Sequence, residues 1–77
     1  MKSLEEVFAA VIPETAGLPL SDDFGPGRVS WWDSMANLAV VSALEEHYGI
    51  KLTFKEVIEL NSIGDIRKLL ADKGVSL

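Results

Sequence analysis

Leu4, Val7, Phe8, Val11 and Ile12 recur at steps of three and four, the spacing of one helical face. Ser3-Leu4-Glu5-Glu6 has the form of a capping box ahead of that stripe. Together they predict a first helix over 3–15, with Pro13 ending or kinking it because proline lacks a donor and crowds the preceding turn. The pattern then breaks. Residues 16–32 hold Gly17, Pro19, Ser21, Asp22, Asp23, Gly25, Pro26 and Gly27, all turn formers or helix breakers. A long loop is expected there, pinned by Leu18, Leu20, Phe24, Val29, Trp31 and Trp32. A loop of this length in a small domain is often functional.

Helical periodicity returns after Asp33-Ser34. Leu38, Val41, Leu44 and Tyr48 mark an expected buried stripe with Met35 and Val40 beside it, and Gly49 is placed to end the helix. The second helix is therefore read as 34–48, with Asp33 suited to the positive end of its dipole. Thr53-Phe54-Lys55-Glu56 is another capping box, opening a short helix over 54–60, and Leu52 and Val57 are spaced as a hydrophobic staple. Ser62-Ile63-Gly64-Asp65 repeats the cap with Asp in place of Glu. Ile66, Leu69 and Leu70 form the apolar face of a last helix that Gly74 ends. The result is an all-α chain of three main helices and one short one, with a long first loop and no strand signal beyond the brief Ile50-Lys51-Leu52. No repeat or linker divides it, so residues 1–77 read as a single domain.

Composition narrows the function. With 12 acidic against 7 basic residues the net charge is -5. That disfavours nucleic acid, which needs a basic patch, and anionic membrane surfaces. It favours basic protein partners, although charge that only keeps a small protein soluble reads the same way. There is no cysteine, so any thiol chemistry must come from something attached, and a single histidine leaves no clustered metal site. No apolar run reaches the roughly 20 residues of a membrane span. Acidic residues near the start do not suit a leader, so a cytoplasmic chain is expected. His47, near a helix C-terminus, reads as a surface residue, and Gly25-Pro26-Gly27 as a turn and no phosphate cradle.

Three landmarks carry a family resemblance. Asp33-Ser34-Met35 at the head of the second helix resembles the Asp-Ser-Leu motif of acyl carrier proteins. Ala43-Leu44-Glu45-Glu46-His47-Tyr48 is similar to the family's Ala-Leu-Glu-Glu-x-aromatic run. Ser62-Ile63-Gly64-Asp65-Ile66 is similar to the opening of its last helix. The distances between the landmarks fit the family without gaps, over essentially the whole chain.

The resemblance implies a small four-helix bundle of the acyl carrier protein type. It also implies a discrete monomeric carrier that is itself no enzyme. A holo-carrier-protein synthase (a phosphopantetheinyl transferase) attaches 4'-phosphopantetheine from coenzyme A to Ser34, and acyl groups are held as thioesters on that arm. Asp33 and Met35 flank the attachment point. Asp33, Trp32, Glu45 and Glu46 are the implied contacts for partners with basic surfaces, which include acyl-loading, condensing and acyltransferase enzymes. Val41, Leu44, Leu52, Val57, Leu60 and Ile66 match positions that line the family's acyl pocket, where plain core packing is the competing role.

The chain also departs from the pattern. Trp31-Trp32 precede Asp33 where glycine is usual, and Ala39 stands where fatty-acid carriers usually have an acidic residue. Ser42 replaces a common apolar contact, and Lys51 and Lys55 reduce the acidity of the second half. These departures point to a dedicated carrier in a specialised lipid, polyketide or related pathway. The alternatives are an aminoacyl or peptidyl carrier using the same serine, or a helical protein-interaction module without a prosthetic group.

Overall fold

The computed structural model describes residues 3–76, so Met1, Lys2 and Leu77 of the expected 1–77 unit lie outside the described residues. Four α-helices follow in order: α1 Leu4–Val11, α2 Ser34–Tyr48, α3 Phe54–Ile58 and α4 Ile63–Asp72, with a 3-10 turn at Pro13–Thr15. No strand occurs among the described residues, and one isolated bridge joins Pro26 and Val29 within the first loop. The chain is an all-α protein of small dimensions, 28 × 25 × 19 Å.

Each helix starts where its cap dictates. Ser3 accepts from the Glu6 N–H at 3.2 Å while Glu6 accepts from the Ser3 N–H at 3.1 Å, satisfying two otherwise orphaned donors. Thr53 and Glu56 do the same for α3. At α4 the Ser62 hydroxyl accepts from the Asp65 N–H, but the Asp65 carboxylate accepts from the Asn61 N–H and not from Ser62, so that cap is not a reciprocal box.

Two predicted helices end early. α1 stops at Val11 because Ile12, ahead of Pro13, is extended (φ -124°, ψ 91°), as a residue before proline prefers. The Pro-Glu-Thr segment forms a separate 3-10 turn. α3 ends at Ile58 rather than Leu60, with Glu59 as its C-cap. α2 spans the expected residues and ends at Gly49 in the left-handed conformation (φ 64°).

The core is one cluster that includes Leu4, Val7 and Phe8 of α1, Leu20 and Trp32 of the loop, Val40, Leu44 and Tyr48 of α2, and Ile63, Ile66 and Leu70 of α4. The expected stripe on α2 is corrected here. Leu38 is 65% exposed and Met35 78% exposed, while Val40, Ala43, Leu44 and Tyr48 are buried. Apolar residues occur all round α2, so periodicity alone could not choose between its faces.

The first loop is held by backbone as well as side chains. Ile63 N–H donates to the Phe24 carbonyl at 2.7 Å and Gly64 N–H to the Asp22 carbonyl at 3.1 Å, docking the loop on the start of α4. Gly25 is buried against the Asn61 carbonyl, where any side chain would collide with backbone. Arg67 of α4 joins the same region, 3.0 Å from Asp22 and 3.6 Å from Glu5 of α1.

Glu56 ties α3 to the end of α4 through Lys73 at 3.1 Å. Its carboxyl pKa is lowered, first by the hydrogen bond from the Thr53 N–H and then by Lys73. A carboxyl with a pKa lower in the folded than in the unfolded state stabilises the fold above the ordinary carboxylate range, and that contribution is lost as pH falls through it. The urea midpoint should therefore drop less between neutral and acid pH in Glu56→Gln than in the parent chain. Equal drops would show that this carboxyl contributes nothing. Trp32→Ala, which empties the largest fully buried side chain, should cost about 3–5 kcal/mol in denaturant unfolding.

Candidate functional site at the entrance of α2

The entrance of α2 is built by Trp32, Asp33 and Ser34. Asp33 is the N-cap, in extended conformation, and its Oδ1 accepts from the Ala36 N–H at 2.9 Å. Ser34 is the first helical residue and is exposed. Its hydroxyl therefore stands in solvent at the positive end of a 15-residue helix, a setting that favours an attached anionic group.

Two indoles hold this entrance. Trp32 is 1% exposed and meets Phe8 of α1 edge-on at 5.2 Å. Its Nε1–H donates to Asn37 Oδ1 at 3.0 Å, one turn into α2. Trp31 stacks on Trp32 at 5.8 Å and meets Phe24 edge-on at 5.9 Å. The expectation that Trp32 faces a partner is corrected: its ring fills the core and offers no surface. Trp31 is half-buried. Asn37, which no sequence motif singled out, satisfies the indole donor. A polar residue one turn after the cap was the only available signal.

Nothing in this site activates the hydroxyl from within. The sole histidine, His47, lies thirteen residues further along α2, roughly 20 Å at the helical rise. The Asp33 Oδ1 is engaged by the helix cap. Ser34 is thus placed to receive a group from another enzyme rather than to act as a nucleophile activated by its own chain.

The remaining expected residues separate. Met35 is exposed beside Ser34. Glu46 is exposed, whereas Glu45 is half-buried and its Oε2 accepts from the Leu52 N–H at 2.9 Å. Glu45 therefore fastens the connection between α2 and α3. Leu44 and Ile66 are wholly buried and Leu60 nearly so, while Val41, Leu52 and Val57 are half-buried. An open polar cleft of about 350 Å³ lies between α3 and α4, lined among others by Glu56, Glu59, Asp65 and Lys68. Of the six expected pocket residues it takes only Leu60. Among the described residues no acidic or histidine cluster is arranged to hold a metal ion, and no helix is long and apolar enough to cross a membrane.

A comparison with protein-family models, curated proteins and solved structures finds no match to this chain. The class that the coordinates themselves define is a small all-α protein with an exposed serine at a capped helix entrance.

Asp33→Ala should lower stability by about 1 kcal/mol, and Asp33→Asn should largely retain it, because asparagine caps as well as aspartate. Equal losses in chemical denaturation would show that charge, and not capping, is what matters at this position.

Proposed function

We propose that this protein is a discrete carrier of the acyl carrier protein type, holding acyl groups as thioesters on a 4'-phosphopantetheine arm at Ser34. The observation that carries the reading is the solvent-exposed Ser34 hydroxyl at the start of α2, next to the Asp33 cap. The two other landmarks support it. The Glu45-Glu46 run ends α2, and Ser62-Ile63-Gly64-Asp65 opens α4 with Ser62 as its cap.

The residues present fit the arm. Attachment joins the Ser34 oxygen to the phosphorus that carries pantetheine in coenzyme A. The diphosphate bond breaks, adenosine 3',5'-bisphosphate leaves, and the serine proton passes to a base of the modifying transferase. The new phosphodiester is an anion at a helix N-terminus, where backbone donors and the dipole favour it. When bound, the arm supplies a thiol, which a chain without cysteine lacks. The chain's own part is to present and orient, and it carries out no catalysis. Exposed Glu46 suits a basic-surfaced partner such as the transferase. The departures at Trp31-Trp32, Ala39 and Ser42 fit a carrier dedicated to a specialised lipid, polyketide or related pathway.

A second reading, an interaction module without a prosthetic group, draws on the four large apolar side chains left exposed: Met35, Leu38, Phe54 and Ile58. Incubation with coenzyme A, magnesium and a broad-specificity phosphopantetheinyl transferase separates the two. The intact mass should rise by one phosphopantetheine group, and Ser34→Ala should fold and stay unmodified. An unchanged mass in the parent chain favours the interaction module. Glu46→Lys should slow the modification a few-fold at low salt and less at high salt. A rate indifferent to both would rule out electrostatic docking at this residue.

A further inference from the structure

Residues 34–44 carry no charged side chain in a chain that is 25% charged overall. They form about three turns of α2. The inward side of this stretch is Val40, Ala43 and Leu44, all buried. The outward side is Ser34, Met35, Leu38, Ala39 and Ser42, all exposed. Ser34, Leu38 and Ser42 follow at steps of four, and Met35 and Ala39 lie beside them, so the five form one ridge. An uncharged strip thus begins at the Ser34 hydroxyl and runs along the helix surface. Single exposed apolar residues are ordinary. Here two large ones, Met35 and Leu38, occupy consecutive turns next to the proposed attachment point, with no charge among them.

The interior offers a tethered apolar chain no equivalent place in this structure. Leu44 and Ile66 are 0% exposed and Leu60 5%, and a close-packed core yields only by separating side chains that already fill it. We propose that the outward face of α2 from Ser34 to Ser42 is a track for the alkyl part of the cargo, which the protein carries against its surface rather than inside its core. This rests on the carrier reading given above.

Charge and area both select this occupant. The strip has no carboxylate to meet a basic protein. A standard protein interface takes about 800 Å² from each partner. That is roughly a sixth of the 4634 Å² this molecule exposes, and five mostly small side chains fall well short of it. A tethered chain needs far less contact, because linkage holds it at an effective concentration of roughly millimolar.

The test loads the full chain from octanoyl-coenzyme A with the same transferase and compares it by two-dimensional NMR with the chain bearing the unacylated arm. Octanoyl-dependent shifts are expected at Met35, Leu38, Ala39 and Ser42, with none at Leu44, Leu60 and Ile66, and Leu38→Glu should abolish them. Shifts centred on Leu44, Leu60 and Ile66 mean that the core opens, and the proposal fails. Absence of octanoyl-dependent shifts leaves the cargo in solvent and fails it too. If Leu38→Glu keeps the shifts but slows loading, the strip serves the transferase instead and the proposal is again overturned. A protein whose mass does not rise on incubation fails at the earlier step, and the carrier reading falls with it.

Discussion

The burial of Trp32 against Phe8 is the contact on which the arrangement around α2 depends. The indole sits in the core between the first loop and α1, immediately before the Asp33 cap. A buried indole needs a partner for its N–H, and Asn37 provides one from within α2. One side chain thus joins α1, the loop and the first turn of α2. The chain leaves the core at Trp32 and reaches solvent two residues later at Ser34. Tight anchoring next to full exposure suits a residue that another enzyme must find in a constant position.

The long loop is stabilised in the same way, by few but varied contacts. Its backbone donates and accepts at the start of α4, its glycine at position 25 lies against the Asn61 carbonyl, and Arg67 reaches back to Asp22 and to the Leu20 carbonyl. The Arg67 pairs are largely exposed, so the salt bridges themselves contribute little. The packing of Leu20, Phe24 and the two indoles carries more of the weight. The loop is thereby a fixed part of the molecule, and α2 begins from it in a defined direction.

The surface of α2 is divided along its length. Its first three turns are uncharged, and its last turn holds Glu45, Glu46 and His47. Glu45 turns inward to the Leu52 N–H and serves the fold, which leaves Glu46 as the exposed carboxylate of the pair. An apolar strip at the serine and a charge at the far end are separate surfaces, suited to different contacts.

Local chemistry determined much of this protein. The caps at Ser3, Asp33, Thr53 and Ser62, the stop at Gly49 and the placement of Ser34 at a helix entrance all rest on hydrogen bonds that span a few residues, and so they were legible in order along the chain. Pro13 likewise announced the end of α1, though the restriction it places on Ile12 moved that end forward to Val11. Tertiary structure alone decided which face of α2 is buried, because Leu38 and Val40 are equally apolar and only the position of α1 and the loop selects between them. It also decided that Trp32 goes inside while Trp31 is half-buried, and that Glu45 binds the Leu52 backbone while Glu46 stays in solvent. In each case neighbours of the same chemical type compete for one place in the core or one donor, and the winner is set by contacts between segments distant in sequence, which no local pattern records.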